Sequence, residues 1–369
     1  MKINIAAAHR FHLLDLAREL QKQGHDVKFY SYVPTKRCMS FGLPRQCSHC
    51  FLWAVAPVFA LQIFFPKLDI LQHIKYLIMD YYMSRFMRSC DIYIALGSIY
   101  KHSFISAKKK FGATTILEWG SKHIDEQQRI LAEINAPLNQ EYSNKRSKDG
   151  YEIADYIAIP SEHVKQSFIE RGVFGKKLLI NPYGVDLSMF HPTKLVENQP
   201  YDIIMVGGWS LRKGCDILIQ ICERYNYRLL HVGSIVDLEF PANKNMIHVP
   251  SVNQKELPLF YSKAKIFVLP SREEGLALVQ AQAIACGLPV VCSSDTGGRD
   301  LKLLLNNSSW IVEMSDFSIE ELRRCIEKAL KLSESQKGLR DYVQGFTKEL
   351  TWETYGERYN SNLYKIINQ

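Results

Sequence analysis

Pro270-Ser-Arg-Glu-Glu-Gly-Leu-Ala-Leu-Val-Gln-Ala-Gln-Ala-Ile-Ala-Cys-Gly-Leu-Pro289 is the stretch whose reading decides the fold of this chain. It leaves a β-rich run, passes a polar turn holding Glu273, Glu274 and Gly275, and enters a helix-forming segment that stops at Gly287 and Pro289. Another β-rich run follows at once. Strand, turn, helix and strand in this order is the repeating unit of a parallel sheet with covering helices.

Working outward, the same alternation fills the chain. In the second half strands are expected at 202–208, 228–234, 246–251, 265–271 and 288–294, and after 308–312 come helices at 318–332 and 351–367. In the first half they fall at 2–8, 25–33, 91–97, 114–120, 155–160 and 178–184, and the helix predicted over 11–23 stops at Gly24, as a glycine just past a helix end would make it. A chain of 369 residues has room for two domains, each with its own core. The polar interval 191–200, with Pro192 and Pro200 near its ends, reads as the link. This gives an N-terminal Rossmann-like domain over 1–190 and a C-terminal one over 191–350, while the segment 351–369, rich in Tyr and Trp, is expected to pack on a neighbour. The expected class is α/β, and open parallel sheets bind ligands beyond the carboxyl ends of their strands, so the cleft between two such domains is the place for chemistry.

Composition narrows the function. Hydrophobic residues make up 47% and charged residues 23%, the usage of a globular protein. The formal net charge of +8 is uneven: residues 1–185 hold 25 Lys+Arg against 16 Asp+Glu, and 186–369 hold 21 against 22. A basic half suits an anionic membrane surface or an acidic substrate; aromatic-interleaved basic motifs for nucleic acid are absent, so no nucleic-acid partner is expected. Nine scattered Cys and a start without a secretory pattern lead us to expect a cytoplasmic protein. The apolar run 51–65, broken by Pro57 and Gln62, falls short of the ~20 residues that cross a bilayer. It reads first as a core helix; with Lys67, Lys75, Arg85 and Arg88 it also reads as a surface for the inner face of the cytoplasmic membrane. Cys47-Ser-His-Cys50, near Cys38, has metal-like spacing without a second pair to complete it, and no metal site is expected.

Two turns carry the chemistry. Gly275 opens the predicted helix, whose free first-turn N–H groups and dipole would favour phosphate oxygens, with Gln282 about 12 Å further along at 1.5 Å per residue. The same residues also fit an exposed acidic helix start with a solvated Gln282. Val206-Gly-Gly-Trp-Ser-Leu-Arg-Lys-Gly214 is a second strand-to-helix turn, in which Gly208 leaves room for a ligand while Arg212 and Lys213 supply two positive charges for a diphosphate. Its spacing is neither that of a P-loop nor that of a dinucleotide fingerprint.

These motifs resemble the signature of the retaining nucleotide-sugar glycosyltransferases of family 4. The likeness rests on Glu274 to Pro289 with Val290-Val-Cys-Ser-Ser-Asp-Thr-Gly-Gly298, Lys213-Gly214 after a Val-Gly strand end, Asn181-Pro-Tyr-Gly-Val-Asp186 and Val268-Leu-Pro-Ser271, in order from about Glu118 onward. It implies a GT-B fold, two Rossmann-like domains facing across a cleft, with acceptor on the first, donor on the second, and the last helix crossing back. It further implies that Glu274 holds donor-sugar hydroxyls, Gln282 the ribose, and Lys213, with Arg212, the diphosphate. Gly208, Gly275, Leu278 and Val279 would complete the donor site. His123, in Glu118-Trp-Gly-Ser-Lys-His123, stands where the family places a His near donor and acceptor, and His9 and Arg10 are acceptor-side candidates. Three departures stand out: Gln282 replaces a second Glu, Gly208 replaces an Arg for which Arg212 can substitute, and Ala6-Ala-Ala-His-Arg10 replaces a Gly-rich loop.

The resemblance implies transfer with retention from a nucleoside-diphosphate sugar, a UDP-sugar by first choice, to a glycan or lipid-linked acceptor in cell-surface polysaccharide or lipopolysaccharide assembly. No Asp-x-Asp motif stands at a strand end of the second half, so metal-independent transfer without a cofactor is expected, and no second carboxylate is placed for a covalent intermediate. The other readings kept open are a non-catalytic nucleotide-sugar-binding protein, and an epimerase or hydrolase on the same fold.

Overall fold

The structure, a computed structural model, describes residues 1–65, 68–193, 199–305, 308–335 and 347–368. Two wholly parallel sheets organise it. The first contains β1 (Lys2–Ala7), β2 (Asp26–Ser31), β3 (Ser48–Cys50), β4 (Ile92–Leu96), β5 (Thr114–Glu118), β6 (Tyr156–Ile159) and β7 (Leu178–Ile180), in the order β3-β2-β1-β4-β5-β6-β7. The second contains β8 (Tyr201–Val206), β9 (Leu229–Val232), β10 (Met246–Val249), β11 (Ala264–Leu269), β12 (Val290–Cys292) and β13 (Ile311–Glu313), in the order β10-β9-β8-β11-β12-β13. Strand order reverses between β1 and β4 in one sheet and between β8 and β11 in the other, and at such a reversal the flanking loops part to leave a crevice. The GT-B architecture follows: two Rossmann-like sheets, each with its switch point open at the strands' carboxyl ends.

Several strands end earlier than their patterns suggest. Gly97, Gly120 and Gly208 leave the ladder and turn into the loops that line the crevice. The helix after β11 starts at Leu278 rather than Gly275, because residues 270–277 form an irregular loop, so Glu274 and Gln282 are not eight residues apart on one helix. Strand β3 was not foreseen: the Cys47-Ser-His-Cys50 stretch is an edge strand, with Cys47 buried and His49 stacked on Tyr30 at 4.8 Å.

The helix Trp352–Ile367, capped by Thr351, buries Tyr355, Tyr359 and Leu363 and packs on the helix Phe11–Lys22. Asn181 donates to the Tyr355 carbonyl at 3.1 Å and Arg358 to the Pro182 carbonyl at 2.9 Å, tying the end of the chain to the first half. The apolar run 51–65 is not a core helix. Within Leu52–Phe64 only Val55 and Val58 are buried, since a helix apolar all round has more surface than one sheet face can cover. Lys75 is not at the surface either: it lies buried, donating to Gln62 at 2.9 Å. Lys67, Gln369 and residues 194–198 of the expected link lie outside the described residues.

Candidate active site

A cavity of about 680 Å³ opens between the two switch points. Loops after β1, β4 and β5 form one wall and loops after β8 and β11 the other, which brings Arg10, Gly208, Lys213, Glu274, Leu278, Val279 and Gln282 together. Of the residues singled out in the sequence, His9, His123, Arg212 and Gly275 do not line it.

The loop after β11 is held from the opposite half. Glu273, fully buried, accepts from the Lys122 amide at 3.2 Å, from Gln127 Nε2 at 3.0 Å and from Arg212 Nη1 at 3.3 Å. His163 Nε2 donates to the Glu274 carbonyl at 2.7 Å and Ser161 Oγ to the Gly275 carbonyl at 2.8 Å. Gly275 is therefore not a phosphate-facing helix start. A Cβ there would lie 1.8 Å from the Gly120 carbonyl oxygen, so the missing side chain is what lets the two halves touch. Gln282 is buried rather than solvated, under a long 3.5 Å hydrogen bond from the Tyr261 hydroxyl. The amides opening the helix Leu278–Ala285 begin at Leu278 and Val279 on the cavity wall, and first-turn amides have no carbonyl one turn back to bond.

The loop after β8 supplies the cations. Leu211 N donates to Asp237 at 2.9 Å, fixing the turn, and Gly214, at φ +71° with its Cβ position 2.0 Å from the Pro270 carbonyl oxygen, admits no other residue. Lys213 Nζ is thereby laid against the Glu274 carboxylate. Burial, reinforced by Arg212, draws the Lys213 ammonium from its usual value down to about 7, with the Glu273 carboxylate working the other way. Arg212 turns aside, donating to the Glu273 carbonyl at 2.9 Å, and lines an adjoining recess of about 400 Å³ shared with Gly208, Lys213 and Glu274.

On the first wall, His12 rather than His9 reaches the cavity, because the helix starts at Phe11 immediately after the turn. His12 Nε2 donates to Glu118 at 2.9 Å and its ring packs on Tyr183 at 4.4 Å between centroids. The other Glu118 oxygen accepts from Tyr359 at 2.6 Å. Arg10 bridges to the second half through Gln254 at 3.1 Å. Phe11 lines the cavity at φ +39°, a backbone region costly for a bulky residue. His123 caps the helix Ile124–Glu133 by accepting from the Asp125 amide and sits between Tyr151 and Phe168, where burial pulls its imidazole down to about 4. Glu118 and Lys122 stand in the quoted Glu118–His123 motif and His12 lies beside the first strand end, but nothing in the sequence marked their roles; Gln127 and His163 had no signal beyond residue type.

The fold is of the GT-B type, with the cavity in the cleft between its two sheets. Residues 190–345 match the family described as glycosyl transferases group 1. A glycosyltransferase of Methanocaldococcus jannaschii is 27% identical over 210 residues, 51% of this chain and 52% of that protein. The capsular polysaccharide biosynthesis glycosyltransferase CapM of Staphylococcus aureus is 28% identical over 184 residues, 45% of this chain and 47% of that one. The matches thus span about half the length of these curated relatives. Among solved structures, Anabaena HepE in complex with UDP and glucose superposes with a TM-score of 0.65 at 12% identity over 99% of both chains. Sucrose-phosphate synthase of Thermosynechococcus elongatus gives 0.64 at 16% identity, covering 100% of this chain and 99% of that one. The match to the glycosyl transferases group 1 family covers residues 190–345, and the two-sheet GT-B fold of the chain is shared with these solved structures.

Proposed function

We propose that this protein moves a sugar, with retention at the anomeric carbon, from a UDP-sugar to a glycan or lipid-linked acceptor in cell-surface polysaccharide assembly, at the inner face of the cytoplasmic membrane. The observation that carries this reading is the meeting of Lys213 with Glu274 at the second switch point, inside the cavity that both halves line. In it, residues 191–350 bind the donor, and residues 1–190 with 351–369 bind the acceptor. Lys213 meets the diphosphate, helped by the amides of Leu278 and Val279; Glu274 holds sugar hydroxyls once the diphosphate has taken over the ammonium; Gln282 meets the ribose; Gly208 leaves room for the phosphates. Arg212 and Gly275 serve by fixing the loop, and His123 by capping the helix beneath it. Arg10 and His12 face the acceptor, with His9 behind them. The names of the relatives support the reading, CapM acting in capsule biosynthesis and HepE holding UDP and glucose.

Catalysis then consists of orientation and charge. The cation and helix amides stabilise the departing diphosphate without a metal, and a leaving phosphate oxygen takes the acceptor proton on the face it vacates. The test is sugar transfer by the purified chain in EDTA, compared with Glu274→Gln. Transfer that persists in chelator and falls at least about a hundredfold in the variant, with UDP affinity kept, supports the reading. Binding without transfer would favour a nucleotide-sugar-binding protein, donor turnover without acceptor an epimerase or hydrolase, and strict dependence on added Mg²⁺ would refute the metal-free step.

A further inference from the structure

The helices Leu52–Phe64 and Asp69–Phe86 pack on one another and leave an unusual surface. Ile63 is 79% and Phe64 77% exposed, and Trp53, Phe65, Leu68 and Phe86 are also open to solvent. Single exposed apolar residues are ordinary; this many on two consecutive helices mark a docking face. No helix among the described residues is long and apolar enough to cross a membrane.

Charge chooses the occupant. Residues 34–110 hold 11 Lys+Arg against 3 Asp, an excess equal to the whole formal net charge of +8. Lys110 Nζ donates to the Ser84 carbonyl at 2.8 Å, which sets it beside exposed Arg85 and Phe86. A second copy of the chain would bring like charges together, whereas an anionic leaflet accepts the apolar side chains and neutralises the cations. The face also adjoins the first wall of the cavity: burial first, and then Lys75 lodged between the helices, hold the His9 imidazole below its usual value, and His9 packs toward Phe11, on that wall, at 5.9 Å.

We infer that the helix pair Leu52–Phe64 and Asp69–Phe86 docks the protein on an anionic lipid bilayer surface, with Ile63 and Phe64 entering the leaflet and Arg85, Arg88 and Lys110 meeting the headgroups. Docking names the surface behind the membrane location in the proposed function, and that it presents a lipid-linked acceptor to the cavity rests on that reading.

The full chain is floated with phosphatidylcholine vesicles containing about 30% phosphatidylglycerol, and with phosphatidylcholine alone. The expected result is binding to the anionic vesicles that weakens as salt is raised to about 0.5 M, and that drops at least about tenfold in Ile63→Glu/Phe64→Glu. In the wild type, brominated lipid quenches tryptophan emission, and Trp53→Phe loses part of that quenching, a readout that does not need the charged variant to fold. The melting shift caused by UDP-glucose should be the same in wild type and both variants, which separates failure of docking from failure of the donor reading. Undiminished flotation of the double variant, equal binding to neutral vesicles, absence of quenching, or a solution dimer broken by Ile63→Glu would each overturn the inference.

Discussion

Lys213 offers the sharpest test of the donor site, because its charge is set by surroundings that the structure spells out. Its ammonium, drawn down to about 7 by burial and by Arg212, is present below that pH and lost above it. A diphosphate needs the charged form. With a value near 7 the charged fraction falls from about nine-tenths at pH 6 to about one-tenth at pH 8, so donor affinity should fall about tenfold across that interval, or ~1.4 kcal/mol. The Glu273 carboxylate opposes that shift without reversing it. Isothermal titration at fixed ionic strength with UDP-glucose, or with whichever nucleotide-sugar raises the melting temperature most, measures this, since the diester-like diphosphate of the donor does not titrate in the range. Lys213→Met should bind ~1.5–3 kcal/mol more weakly at pH 6, the usual worth of a hydrogen bond to a charged group, and should show no fall toward pH 8. Affinity that is flat or rising with pH in the wild type, or an unchanged slope in the variant, would refute the assignment of this nitrogen to the diphosphate.

Three further outcomes follow from the geometry. Gly275→Ala puts a methyl 1.8 Å from the Gly120 carbonyl oxygen, two backbones with nowhere to go, so chemical denaturation should show a loss of about 1–3 kcal/mol and transfer should fall with it; unchanged stability would mean that the halves do not meet there. His12→Phe keeps the packing on Tyr183 but takes a hydrogen bond from buried Glu118, which should raise the acceptor KM or lower kcat about tenfold or more with donor affinity unchanged, and His12→Gln should recover part of the loss; equal effects on donor binding would place His12 elsewhere in the reaction. Burial holds His123 and His163 down to about 4, while the unfolded chain takes up those protons at about 6.5, so stability falls as the pH drops from about 6.5 to 4, by on the order of 3 kcal/mol per imidazole. Asp300, pushed up to about 6 by its own burial, takes a proton in the folded state over the same interval and offsets part of that loss. Melting temperature against pH should be flatter in His123→Asn, which keeps the helix cap; a steeper acid limb would show that the buried imidazole is not what titrates.

Both sheets were legible because their strands are short apolar runs parted by helices with clear stops. Gly24, φ +87°, ends the first helix where the sequence says it should. What the sequence misplaced is local and has local causes. Residues 270–277 resemble a helix start in composition, yet their carbonyls are taken by His163 and Ser161 from more than a hundred residues away, and a loop whose hydrogen bonds are non-local leaves no pattern in its own sequence. The run 51–65 reads as core because hydrophobicity signals burial without saying in what: water-exposed apolar helices and core helices share a composition. His9 and His12 differ in sequence only by position, and which of them faces the cavity was decided by where the helix begins.

In the proposed reading, donor binding and the meeting of the two halves are one arrangement rather than two. Glu274 belongs by sequence to the donor side, but its carbonyl is held by His163 and its neighbour Glu273 by Lys122 and Gln127, all from the first half, while Arg212 and Lys213 hold the same two acids from the second. Drawing the halves apart would leave the buried Glu273 with one partner, Arg212, and a carboxylate so short of hydrogen bonds is costly to keep dry. The acidic loop therefore keeps this shape only while Gly275 rests on Gly120. A diphosphate arriving at Lys213 would compete with Glu274 for the ammonium, and the carboxylate it releases stands on a loop whose backbone the first half already holds, on the wall of the cavity where a sugar attached to that diphosphate would lie.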